Sequence, residues 1–196
     1  MTVSRGFTFI ILLGKSGCGK GTQAELLQKR FGFKHISTGA LLRERMQKNN
    51  FFGRNIRKIL KRGGLIPTSI VFHMWLHVLE SLKKDKKTKG VILEGSPRKL
   101  YEAWMLKEAL DFYDLGNDVH ALHVVISDKE AIHRLLKRGR PIDDQMKPIK
   151  NRLAWFKKEV MPVVAFYKKE RVLSDINGEQ SVENVQKEIL RKLKKS

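Results

Sequence analysis

Cysteine is almost missing from this chain: Cys18 is the only one in 196 residues. No internal disulfide can form, which fits a reducing compartment, and the expected localisation is cytoplasmic. Long apolar runs are also missing. Phe7 to Leu13 is the main one, far short of the roughly 20 residues that span a bilayer, so no membrane partner is expected. That run leads straight into a glycine-rich segment with no small-residue cleavage site, so it makes a poor signal peptide. Cys and His nowhere approach zinc-ligand spacing, and His35, His73, His77, His120, His123 and His133 form no ligand constellation, so zinc is not expected. There is no internal repeat and no low-complexity linker. A single compact domain is expected from the length.

Acidic residues are scarce. Forty Lys and Arg face 20 Asp and Glu, a formal charge of +20. Such a surplus implies polyanionic partners or substrates. The lysines, however, fall in scattered short groups: Lys83-Lys84 with Lys86-Lys87, Lys157-Lys158, Lys168-Lys169 and Lys192 to Lys195. The interleaved aromatics of a single-strand binder are absent. A solvated face with weak, salt-dependent adhesion to nucleic acid is therefore expected, and a specific nucleic-acid site is not.

What the chain does have is Gly14-Lys15-Ser16-Gly17-Cys18-Gly19-Lys20-Gly21-Thr22. An apolar β-rich run precedes it and an amphipathic helical run, Gln23 to Phe31, follows. Strand, glycine loop and helix make a phosphate-binding loop. Its amides turn inward, the helix N-terminus adds positive potential, and Lys20 supplies a point charge for β- and γ-phosphates. In the common version a Ser or Thr directly follows the lysine and binds Mg²⁺. Here Gly21 intervenes before Thr22, which argues against direct ligation by that hydroxyl. Cys18 lies near a helix N-terminus and between lysines, a setting that activates thiols. The plainer reading is a small residue filling a loop position.

Along the chain, strands are expected at 7–13, 34–37, 90–95, 119–126 and 171–176. Helices are expected at 40–48, 52–61, 68–82, 99–112, from Asp128 as cap to 138, from Asp143-Asp144 to about 169 with a kink at Pro162, and from the Ser181 cap to 193. Strands alternating with helices imply a parallel sheet covered on both faces, with ligands beyond the carboxyl ends of the strands.

Further motifs follow in order. Ile36-Ser37-Thr38-Gly39 with Leu42-Arg43 resembles the acceptor site of adenylate kinases. Glu94-Gly95-Ser96-Pro97-Arg98 resembles their Asp-Gly-Phe-Pro-Arg motif. Arg134 to Gly139, then Arg140, Asp143, Asp144 and Arg152, resembles the lid of short-lid members. Pro162 to Tyr167 resembles the helix that follows, and Asn177-Gly178 onward the loop around the donor adenine. With the Gly-Lys-Gly-Thr-Gln ending of the glycine loop, the resemblance to the adenylate kinases, which are nucleoside monophosphate kinases, covers nearly the whole chain.

The resemblance implies an α/β P-loop NTPase fold: a five-stranded parallel sheet flanked by helices, a helical insertion for the nucleoside monophosphate (NMP) and a very short lid. The core would be 1–37, 68–138 and 144–196, the NMP-binding region 38–67 and the lid 139–143. The implied reaction is phosphoryl transfer from Mg-ATP to a monophosphate, by a monomer. Lys20, Arg98, Arg134, Arg138, Arg140 and Arg152 would be catalytic, since two polyanions must be held in line and arginine forks suit phosphate. ATP would meet Ser16, Gly17, Cys18, Gly19, Lys20, Gly21, Thr22, Arg134, Gln180 and Val182. The monophosphate would meet Thr38, Gly39, Arg43, Leu65, Ile66, Val71, Gly95, Arg98, Glu102, Arg140 and Arg152. Asp143 and Asp144 would support the lid arginines. Mg²⁺ would be held chiefly by phosphates and water, with Glu94 acting through water.

Several positions depart from the family. Glu94 stands where Asp is usual, Ser96 where Phe is, and Ala40 where Asp is. Glu102 replaces the Gln that reads adenine. Glutamine offers a donor and an acceptor, whereas an ionised carboxylate only accepts. Guanine, with two N–H donors, or the amino group of cytosine would suit Glu102 better. A protonated Glu102 would suit adenine, and a solvent-facing Glu102 would read nothing. Thr38 argues for AMP, because pyrimidine-specific relatives tend to carry Ala there. AMP is therefore the leading acceptor, with GMP or CMP/UMP as the alternative. A second alternative is a nucleotide-binding protein acting mainly on RNA or ribosomes.

Overall fold

The computed structural model describes residues 6–85, 87–140 and 144–194. β1 (Thr8–Gly14) is apolar at almost every position because both of its faces are covered. Phe9, Ile11 and Leu13 turn toward one hydrophobic cluster, and Ile10 and Leu12 toward the other. α1 (Lys20–Phe31), β2 (Lys34–Ser37), α2 (Thr38–Gln47), α3 (Phe51–Lys61) and α4 (Thr68–Lys84) follow. Next come β3 (Gly90–Glu94), α5 (Leu100–Phe112), β4 (Val119–Val125) and α6 (Asp128–Arg138). α7 (Met146–Trp155), a π-helical turn (Phe156–Val160), α8 (Met161–Lys169), β5 (Leu173–Asn177) and α9 (Val182–Leu193) complete the described chain.

The five strands form one parallel sheet in the order β2-β3-β1-β4-β5. α4, α5 and α8 cover one face through Trp75, Leu79, Leu106 and Val163. The other face is covered by α1, α6 and α9 through Leu27, Leu135 and Ile189. With the glycine loop between β1 and α1, this is the expected P-loop NTPase fold. The order reverses at β1, so the loop opens at a topological switch point between β3 and β4.

Local differences from the sequence reading have physical causes. α1 begins at Lys20 rather than Gln23, although Gly21 disfavours helix. Gly19, at φ 95°, turns the chain directly into the helix, so loop geometry overrides propensity. Ser127, not Asp128, caps α6, accepting the Glu130 N–H. Asp128 is thereby released to pair with Lys15 at 2.6 Å and Lys157 at 3.0 Å. The long helix starts at Met146, after the aspartates. The irregularity expected at Pro162 takes the form of the π turn just before it, where the Met161 N–H reaches back to Phe156 O. β5 spans Leu173–Asn177, two residues later at its start than expected.

Leu106 is fully buried between α5 and the sheet. Leu106→Ala is expected to lower unfolding free energy by about 2–5 kcal/mol, read from urea melts.

Candidate active site

At the carboxyl end of β1 the chain must turn within a tight space. A Cβ on Gly14 (φ +139°) would come 2.5 Å from Val124 O and 2.8 Å from Cys18 Sγ, so only glycine fits there. Cys18 is buried in the core cluster beneath the loop, as a loop-filling residue would be. Lys20 folds back over the loop. Its Nζ donates to Gly14 O and Lys15 O, both at 2.7 Å, and to Cys18 Sγ at 3.3 Å. Lys15 ties the loop outward, donating to Ile126 O at 2.7 Å beside its ion pair with Asp128.

Glu94 ends β3 next to this lysine. Burial would raise its pKa, but three groups outweigh that: His35 with Nε2 at 3.7 Å, the charge of Lys20, and Ser37, whose hydroxyl donates at 2.7 Å. The carboxyl is held down at about 2. An ionised carboxylate beside a hydroxyl is a hard, oxygen-only pair, which suits Mg²⁺ that keeps water and phosphate oxygens as most of its ligands. Among the described residues no group of three His, Cys, Asp or Glu gathers as a protein metal cage.

A second pocket lies beyond β2 and β3. Thr38, Leu65, Ile66, Val71, Gly95, Arg98 and Glu102 line it together, with Leu42, Leu60, Gly64 and Ser96. Gly39 and Arg43 adjoin it: a Cβ on Gly39 would lie 3.1 Å from an Arg43 Nη. Arg98 Nε donates to Gly95 O at 2.6 Å. Glu102 is 2% exposed and faces inward, which overturns the solvent-facing alternative. Burial pushes its carboxyl above the usual carboxylate range, against hydrogen bonds from the Arg98 amide, at 2.7 Å, and the Thr68 side chain. The Thr38 and Ser96 hydroxyls are buried with no hydrogen-bond partner among the described residues.

The lid arginines converge on one anion. Arg138 grips Asp144 with two bonds of 2.7 Å, Arg152 reaches it at 3.3 Å, and the Arg140 amide donates at 3.1 Å. The Asp144 side chain has no exposed surface. Burial favours its neutral form, yet Arg138, the Arg140 amide and Arg152 win, and its pKa is lowered. Asp143 lies outside the described residues. Arg134 bridges Glu130 at 2.6 Å and Gly178 O at 3.0 Å, bracing the β5–α9 loop. In that loop Gln180 bonds Asn177 O and Glu188, while Val182, the first residue of α9, accepts from Gln23 through its carbonyl. The side chain of Val182 is exposed.

Sequence reasoning missed His35 and Lys15 as site neighbours, and Trp155, whose ring lies under the Arg98 guanidinium. The position of His35 beside Ser37 in the acceptor motif was the available signal. Lys15 was visible as part of the glycine loop, and Trp155 gave no signal.

The Glu94 shift has a definite sign. A carboxyl ionised in the fold down to about 2, against 4.5 when unfolded, stabilises the protein above pH 4.5 and loses that stabilisation as pH falls toward 2. Glu94→Gln is expected to flatten the acid limb of the stability profile by about 2 kcal/mol between pH 3 and 7, measured by urea unfolding across that range.

Comparison with known proteins agrees with this geometry. The adenylate kinase family model matches residues 12–172. An adenylate kinase of Prochlorococcus marinus is 38% identical over 180 residues, covering 92% of this chain and 95% of that protein. The adenylate kinase of Parabacteroides distasonis is 34% identical over 180 residues, covering 90% and 92%. Human adenylate kinase isoenzyme 1 is 32% identical over 179 residues, covering 90% and 89%. With its glycine loop, its second pocket and arginines from the end of α6 and from α7 gathered on Asp144, the chain belongs to the adenylate kinase family, as a short-lid nucleoside monophosphate kinase.

Proposed function

We propose that this kinase transfers the γ-phosphoryl group of Mg-ATP reversibly to AMP, giving two ADP. The observation that carries the choice of acceptor is the pocket holding Thr38 and Glu102. Apolar side chains wall it, as a flat base requires. Its buried Thr38 hydroxyl has no partner among the described residues, and Glu102 is biased toward its neutral form. Neutral Glu102 matches adenine, donating to N1 and accepting from the N6 amino group. In this reading residues 38–67 are the acceptor region, 139–143 the lid, and 1–37, 68–138 and 144–196 the core.

The donor phosphates would lie in the loop from Ser16 to Thr22, and Lys20 would exchange its carbonyl partners for β- and γ-oxygens. Arg134, fixed against Gly178, would border the donor base beside Gln180 and Val182. Arg43 and Arg98 would hold the acceptor phosphate. Arg138, Arg140 and Arg152 would close on the transferring group and oppose its spreading charge, a role worth roughly three to five powers of ten for one such arginine in related chemistry. Mg²⁺, bound with ATP, neutralises phosphate charge, and Glu94 would hold its water shell. Positioning and electrostatics account for the whole reaction, with no covalent step on the protein.

The ionised form of Glu102 supports a second reading. A carboxylate pairs well with the N1–H and N2–H of guanine, or with the amino group of cytosine. Turnover with Mg-ATP and each of AMP, GMP, CMP and UMP separates the two readings, and AMP is expected to lead. Protonation of Glu102 is lost as pH rises, so the KM for AMP is expected to rise with pH in the wild type. Glu102→Gln should flatten that rise, because its amide donates to N1 and accepts from the N6 amino group at every pH. A lead for GMP or CMP, lost in Glu102→Gln, would establish the second reading instead.

A further inference from the structure

Trp155 belongs to none of the family motifs in the sequence. It lies at the end of α7, where that helix meets the acceptor pocket. Its indole Nε1–H donates to Gly63 O at 2.7 Å. The guanidinium carbon of Arg98 lies 5.4 Å from the centroid of its ring, within cation–π range. One turn earlier Asn151 Nδ2 donates to Arg62 O at 2.8 Å. Earlier still, the Pro148 backbone presses on Gly63, where a Cβ would come 2.7 Å from Pro148 O. Gly63 has φ +67°, so both its conformation and its contact with α7 require glycine. Residues 148, 151 and 155 follow the i, i+3, i+7 spacing of one helix face. That face seats the turn at 62–64, and Gly64, Leu65 and Ile66 run from the turn into the pocket.

We infer that Trp155 is a positioning residue for the acceptor nucleotide. It acts on the pocket through two groups that lie apart in sequence. Its ring sets the plane of Arg98, which the bond to Gly95 O fixes from the other side. Its N–H anchors the turn that carries the far wall of the pocket. Indole alone among side chains combines a strong π-face with a ring N–H donor that has no acceptor role. Phenylalanine keeps only the face, and leucine keeps neither. The donor loop makes none of these contacts, so the effect of Trp155 is specific to the acceptor side. This inference rests on the proposed reading of the pocket as the monophosphate site.

Initial-rate kinetics on the wild type, Trp155→Phe and Trp155→Leu, with Mg-ATP and AMP varied in turn, test it, together with intrinsic fluorescence during AMP titration and thermal melts as a folding control. Trp155→Leu is expected to raise the KM for AMP about tenfold while that for Mg-ATP stays within about twofold. Trp155→Phe should raise the KM for AMP about threefold, the part carried by the indole N–H. AMP should perturb the fluorescence of the wild type and leave that of Trp155→Phe unchanged. If Trp155→Leu fails to fold, the kinetic and fluorescence results of Trp155→Phe decide. An equal rise in both KM values, or an unchanged KM for AMP in folded variants, overturns the positioning role while the pocket assignment stands. A wild type inactive with AMP, GMP, CMP and UMP alike overturns the pocket assignment, and the inference with it.

Discussion

Arg138 and Arg152 bring two positive charges to one point, joined by the amide of Arg140, and the buried carboxylate of Asp144 lets them share it. Removing a carboxylate from water is costly, and only close pairing offsets that cost. The Asp144 side chain is wholly buried, yet its pKa is lowered, so pairing prevails. Held this way, the cations stay gathered before any polyanion arrives. A site with preset charge needs little reorganisation when phosphate enters, which is where electrostatic catalysis gains most.

The same logic recurs at the other anions. Glu94 stays ionised because Lys20, His35 and Ser37 surround it. Asp128 pairs with Lys15 of the glycine loop and with Lys157 of the π turn, linking the loop to the helix that carries Arg152. Glu102 is the exception. Burial of its carboxyl outweighs the Arg98 amide, the charges of Arg98 and Lys99 and the Thr68 side chain, and its pKa moves the other way. In a chain of net charge +20, three acids, wholly buried Asp144, partly buried Glu94 and more exposed Asp128, thus each gather several bases.

Much of this was legible in the sequence because it is local or periodic. The apolar run of β1, the glycine spacing and the arginines at 134, 138, 140 and 152 announce a sheet, a phosphate loop and a lid, and the pocket residues from Thr38 to Glu102 do come together. Features set by tertiary contact were not legible. Asp128 gives up the cap to Ser127 and pairs instead with Lys15, more than a hundred residues away in sequence. The inward orientation of Glu102 depends on how α5 packs against α4 and α8. Trp155 carried no signal, since an aromatic residue on an amphipathic helix looks like any core residue until its N–H and ring are seen to have separate partners.

The central claim is that the converging cations direct a phosphoryl group to a second nucleotide and away from water. Incubation with Mg-ATP labelled at the γ-phosphorus and unlabelled AMP tests it most directly. The account requires label to leave ATP and appear, mole for mole, in the β-phosphate of ADP formed from AMP, with almost none as inorganic phosphate. Release of the label chiefly as inorganic phosphate would contradict it.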